Sequence, residues 1–158
     1  MHIQRICILG GTGFVGRHIA NRLGDQPVSV RVLTRNRERQ RDLLVIPNLE
    51  LVEADVHDPE VLRKHFAETD CVINLVGILN DPSRTGRGFE RAHVELPRKV
   101  IDSCRATGVQ RLLHMSALGA AADAPSQYQR SKAEGERLVL AANEAELATT
   151  CFRPSVIF

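Results

Sequence analysis

The stretch LGGTGFVG, residues 9–16, is the feature that most constrains this chain. It places four glycines within seven residues, directly after the β-branched run Ile3–Leu9 and directly before a helix-period segment, Phe14–Leu23. Gly10, Gly13 and Gly16 stand in GxxGxxG spacing, and Gly11, Gly13 and Gly16 also satisfy GxGxxG. Early glycines allow a tight turn, the middle one lets a pyrophosphate approach the backbone, and the last lets the helix pack close to a sheet. The helix start at Phe14 and Val15 then offers unpaired N–H groups and a partial positive charge to phosphates. Glycines can also serve a turn alone. Set between the first strand and first helix of a βαβ unit, the pattern reads as a phosphate cradle.

The rest of the chain supplies that unit. Strand-like runs at Val28–Thr34, Leu49–Glu53, Cys71–Val76, Arg111–Ser116 and Ala148–Arg153 alternate with helical segments. The helices are expected over about Glu38–Leu44, Val61–Phe66 after the Asp58–Pro59 start, Phe89–Ala106 and Gln127–Asn143. Short apolar strands separated by helices call for an α/β fold with a parallel sheet covered on both faces. Right-handed crossovers make a doubly wound, Rossmann-type sheet in the order 3-2-1-4-5-6 the natural solution. At 158 residues the chain makes one domain, 1–158. A net charge of +2 gives no footprint for nucleic acid, and no apolar run reaches the roughly 20 residues of a membrane span. Gln4 and Arg5 sit too early for a signal peptide. Cys7, Cys71, Cys104 and Cys151 are scattered without metal-ligand spacing, so free thiols in a reducing cytoplasm are expected.

The second strand ends RVLTRNRERQR. An NAD site presents an acid there to hold the ribose hydroxyls, but no carboxylate occurs from Gln26 to Arg37. Thr34 and Arg35 take its place, and Arg35 can pair with a 2′-phosphate. NADP(H) is therefore favoured, with NAD(H) retained as the alternative; Arg39 and Arg41 read as a solvated face. Asp55, with Val56 beside it, follows the third strand, where its carboxylate can accept from an adenine amino group or serve a helix start. Leu75 and Val76 end the fourth strand, and Gly77 lets the backbone pass close to the cofactor ribose.

GGTGFVG, LTR, EADVHD, NLVGIL, HMSALGA, YQRSK and RPSVIF, in that order, resemble the nucleotide-binding half of the short-chain dehydrogenase/reductase superfamily, extended or atypical branch. NLVGIL, HVELPRKV, HMSALGA and RPSVIF carry a narrower likeness, to the NAD-dependent epimerase/dehydratase group related to the nucleotide-binding accessory subunit of respiratory complex I. The resemblance implies a Tyr128–Lys132 pair one helical turn apart. Tyr128 would be general acid/base, its proton affinity lowered by Lys132, which would also hold the nicotinamide ribose. Ser116 stands near the family's catalytic serine, a residue or two early, or bonds locally at the strand end. His93 replaces the asparagine of the fourth helix, as a relay or as a structural histidine. The backbone at Pro154, Ser155 and Val156 would face the nicotinamide. Family members continue for about as many residues again, as a substrate region, so this chain is expected to stop short of it. The implied activity is hydride transfer at a carbonyl or alcohol of a sugar-nucleotide or quinone-related substrate. The alternatives are a non-catalytic scaffold or redox sensor, peripherally associated with a respiratory or quinone-synthesis complex, and a transcriptional co-regulator that senses NADP.

Overall fold

The computed structural model describes residues 2–157. β1 (Arg5–Leu9) leads through the glycine turn into α1 (Phe14–Gly24), and β2 (Ser29–Thr34) leads into 3-10 turns over Glu38–Val45. β3 (Leu49–Glu53), α2 (Pro59–Phe66) and β4 (Cys71–Asn74) follow. After a loop come α3 (Arg87–Glu90), a π-helical turn (Arg91–Glu95) and α4 (Leu96–Thr107). β5 (Arg111–Met115), α5 (Gln127–Ala141) and β6 (Ala148–Phe152) complete the chain. The sheet runs β3-β2-β1-β4-β5-β6 with every pairing parallel, the order expected from the alternation of strand and helix.

Burial on both faces explains the apolar strands. Along β1, Cys7 and Leu9 point into a core shared with Leu62, Phe66, Val100 and Val139. Ile6 and Ile8 point the other way, against Ala20, Val32 and Leu43. Fully burying one such large side chain contributes roughly 1.5–3 kcal/mol. Desolvation pushes the Cys7 thiol up to about 12 and Cys71 to about 11, and all four cysteines are free. Caps sit where the sequence offers them: Asp58 Oδ1 accepts from Glu60 N–H at 2.9 Å, and Ser126 Oγ accepts from Gln129 N–H at 3.1 Å.

Three elements differ from expectation, each for a local reason. The charged segment after β2 makes 3-10 turns broken at Gln40 (φ −122°, ψ 24°) rather than one helix, because Leu43 is its only buried side chain. β4 ends at Asn74, two residues early. There the Asn74 Oδ1 accepts from Val76 N–H at 3.2 Å and draws the backbone out of the ladder. The long helix expected over Phe89–Ala106 is interrupted by the π turn. Pro97 has no N–H to give the His93 carbonyl four residues back, which removes one α-helical bond at that point.

Candidate functional site

The carboxyl ends of the strands form one edge, and the order reverses between β1 and β4, the crevice where such sheets take ligands. The glycine turn lies at that switch point. Gly10 adopts φ +75°, and a Cβ on it would meet the backbone of Leu75 and Val76 at 3.0 Å. The turn and the segment after β4 therefore touch main chain to main chain. At Gly16 a Cβ would lie 2.4 Å from Gly11 Cα, so α1 packs against the turn only because nothing is there. Gly13 is different. A Cβ there would meet only Gly10 O, at 3.4 Å, and the residue is exposed. The protein's own packing leaves that space open. Gly13 N–H donates to Gly10 O at 3.1 Å, no side chain caps α1, and its first turn holds no acid. Phe14, Val15 and Gly16 thus point backbone donors at an uncapped, positive helix end, a fit for a pyrophosphate.

At the end of β2, Thr34 is buried and its Oγ1 accepts from Asn36 N–H at 3.3 Å, turning the chain outward. Arg35 is exposed, and its side chain has no hydrogen bond or ion pair among the described residues. Its neighbours are engaged: Arg37 Nε donates to Leu51 O at 3.2 Å, and Arg41 pairs with Glu38. After β3, Asp55 Oδ1 accepts from His57 N–H at 2.9 Å while Asp58 caps α2, so Asp55 has no helix to start. Val56 is buried in the core, which leaves only its backbone to face a ligand. Lys99 of α4 pins this turn, donating to His57 O at 2.8 Å.

The other end of the crevice is built from side chains. α5 carries Tyr128, half-buried, and Lys132, 5% exposed. Lys132 Nζ donates to Met115 O at the end of β5, at 3.0 Å, and faces Gly77, where a Cβ would come within 3.0 Å of it. Burial lowers the Lys132 ammonium to about 8. Burial is also what moves the Tyr128 phenol, upward, the opposite of the lowering expected from its lysine partner. Ser116 is 3% exposed, with its Oγ buried. It lies just past β5, two residues after the equally buried His114.

After β6 the chain stays zipped to the segment after β5. Ser116 N–H donates to Phe152 O at 2.8 Å and Leu118 N–H to Pro154 O at 2.9 Å, which sets Pro154, Ser155 and Val156 along the crevice rim. Arg153 fixes this segment to α5, its Nε donating to both Glu136 oxygens at 3.0 and 2.9 Å.

Several participants carry no sequence motif. Gly135 is one: a Cβ there would lie 1.9 Å from the His93 carbonyl, so α5 and the π turn meet backbone to backbone. Ser131, Phe89 and the Glu136–Arg153 pair are others. Pro97, four residues after His93, is the one signal that could have located the break.

A doubly wound sheet with a bare glycine turn and an uncapped helix at its switch point defines a Rossmann-type dinucleotide-binding domain. The profile of the NAD dependent epimerase/dehydratase family matches residues 6–158, and the chain belongs to that family. It is 31% identical over 155 residues to the mitochondrial NADH dehydrogenase (ubiquinone) 1 alpha subcomplex subunit 9 of Mus musculus, covering 96% of this chain and 40% of that protein. It is 32% identical over 156 residues to the ceramide reductase of Caulobacter vibrioides, covering 97% and 46%. Among solved structures, MoeE5 in complex with UDP-glucose and NAD superposes with a TM-score of 0.79 at 22% identity, covering 94% of this chain and 53% of that one. The chain spans less than half the length of these two curated relatives. Among the described residues no helix is long and apolar enough to cross a membrane, and no three or more His, Cys, Asp or Glu side chains gather as metal ligands would.

Proposed function

We propose that this chain is the NADP(H)-binding portion of an extended-type short-chain dehydrogenase/reductase that moves a hydride at a carbonyl or alcohol carbon. The observation that carries the reading is Lys132, a buried ammonium held by Met115 O against Gly77, one turn along α5 from Tyr128. When bound, the nicotinamide supplies or accepts the hydride. Lys132 orients the ribose hydroxyls beside Gly77, and the Tyr128 phenol gives or takes the proton of the substrate oxygen. Arg35, exposed and uncommitted at the end of β2, supports a 2′-phosphate and hence NADP(H) over NAD(H). The ceramide reductase relative, by its name, supports a reductase. Four free thiols suit the reducing, cytoplasmic compartment read from the sequence.

Tyr128→Phe in the complete protein tests this. It removes the proton donor and keeps the ring, so turnover falls about 100-fold or more while cofactor affinity barely changes. Equal turnover by wild type and Tyr128→Phe across carbonyl and quinone substrates would leave the second reading. That reading is a nucleotide-bound scaffold or redox sensor of a respiratory or quinone-synthesis assembly. The buried Ser116 hydroxyl and the raised Tyr128 phenol favour it, as does likeness to a protein named as a complex I subunit.

A further inference from the structure

His93 lies in the π turn, 1% exposed, with both ring nitrogens bonded to different parts of the crevice. Its Nε2 is 3.1 Å from the Ile78 backbone nitrogen, which can only donate, so Nε2 must be the bare, accepting nitrogen. The ring proton is then on Nδ1, 2.8 Å from Ser131 Oγ. Ser131 spends its own proton on Tyr128 O, at 2.8 Å, and so accepts from Nδ1–H. Every donor in this chain has one acceptor. It runs in one direction, from the turn after β4, through the imidazole and Ser131, to the first turn of α5.

The rings pack along the same line. His93 meets Tyr128 edge-on with centroids 5.5 Å apart, and Phe89 stacks on His93 at 5.7 Å. The backbone adds a second anchor, because the π turn presses the His93 carbonyl onto Gly135. We propose that His93 is a positioning residue, fixed as the neutral Nδ1–H tautomer, that ties the turn bearing Gly77 to α5. It thereby sets where Tyr128 and Lys132 stand against a bound nicotinamide dinucleotide. This rests on the dinucleotide reading above and departs from a relay role, since neither nitrogen is free to pass a proton to solvent.

Neutrality follows from the surroundings on every side. A proton on Nε2 would face the Ile78 N–H. Lys132 on α5 adds a positive charge close by, and His114 on β5 also opposes protonation. Tyr128, the remaining titratable neighbour, is itself held protonated by burial. Burial first, then Lys132, then His114, take the imidazole down to about 3.

The test uses the whole 15N-labelled chain and titrates it with NADPH. In wild type the His93 Nδ1 should carry the proton and Nε2 should be bare, unchanged between pH 8 and pH 5. A His93 that titrates in that range, or carries its proton on Nε2, overturns the proposal. Glutamine can place an oxygen near the Nε2 position, whereas asparagine reaches only the Nδ1 position. His93→Gln should therefore keep the Ile78 amide protected from hydrogen exchange, and His93→Asn should expose it. NADPH affinity should fall about tenfold in His93→Ala, the scale of losing one to two hydrogen bonds, and less in His93→Gln. Wild-type affinity in His93→Ala overturns the idea. Should His93→Ala fail to fold, Ser131→Ala takes its place, expected to loosen NADPH a few-fold, with unchanged affinity counting against. If wild type binds neither NADPH nor NADH, the cofactor reading fails by itself, and the tautomer and the Ile78 amide still decide whether the clamp exists.

Discussion

The two ends of the crevice are made of different material. The end at β1 and α1 is main chain: a positive-φ turn, an uncapped helix and glycines whose missing side chains decide every contact. The end at α5 is side chain: a buried lysine on a carbonyl, an imidazole bonded on both nitrogens, and a carboxylate gripping an arginine across two elements. Main-chain sites are set by local sequence, because a residue's own φ and its missing Cβ fix them. Side-chain sites are set by which elements come together, and their energetics sit in partners far apart in the chain. The first end should therefore fail by steric intrusion, abruptly. The second should fail by loss of individual partners, gradually.

A pair of glycine substitutions breaks the comparison most sharply. Gly16→Ala puts a Cβ 2.4 Å from Gly11 Cα, backbone against backbone, where no rotamer can relieve it. The helix must lift from the turn, and stability should fall by about 3 kcal/mol or more. At Gly13, three residues away, an added Cβ meets nothing closer than 3.4 Å, and the φ of −75° at the helix start is one that valine adopts. In Gly13→Val stability should change by less than about 1 kcal/mol while NADPH binding drops at least about 100-fold, since the branched chain fills the phosphate space. Urea denaturation and calorimetry on both variants check this. Equal stability losses at the two positions would mean that the space at Gly13 belongs to the fold and not to a ligand.

Cofactor choice is the next largest effect. Arg35→Asp replaces an uncommitted cation with the acid that a ribose diol prefers, on a side chain bound to nothing else among the described residues. NADPH should weaken about tenfold or more and NADH should tighten, narrowing or reversing the preference, with the melting temperature unmoved. Equal NADPH and NADH affinities in wild type, unaffected by the substitution, would place the discrimination elsewhere.

What could be read from the sequence divides along the same line. The alternation of strand and helix led to the strand order, and GxxGxxG led to the turn, because both are local patterns. Tyr128 and Lys132 were singled out through the family resemblance, and Arg35 through the absence of an acid. The break in the long helix was missed, since Pro97 near a helix start is ordinary until Gly135 is seen to press on the carbonyl that Pro97 leaves free. His93 was visible only as a substitution in a pattern. Its partners, Ile78 and Ser131, lie 15 and 38 residues away, and nothing in the sequence links the three. Ser116 was singled out through the family resemblance; its burial comes from the packing of the sheet and is not written in its neighbours.

The smallest effect tests the side-chain end by pH. Glu136 is nearly buried and Arg153 is half in water, side chains 7% and 52% exposed, and the pair holds the segment after β6 to α5. Hydrogen bonds from Arg153 first, and a lesser one from Ser116, lower the Glu136 carboxyl below its ordinary 4.5, outweighing the burial that would raise it. A carboxyl with a depressed folded value stabilises above its unfolded value, and that stability is lost as pH falls through the folded one. At pH 7 Glu136→Gln should therefore cost about 1 kcal/mol, nearer an exposed pair than a buried one because water reaches the guanidinium. In acid, once the pH has fallen through that depressed folded value, the neutral wild-type carboxyl and the amide make similar bonds, and the difference should shrink toward zero. Urea midpoints at the two pH values read it directly. A difference that persists undiminished in acid would show that Glu136 acts through packing, and that this end of the crevice, like the glycine end, is held by shape rather than by charge.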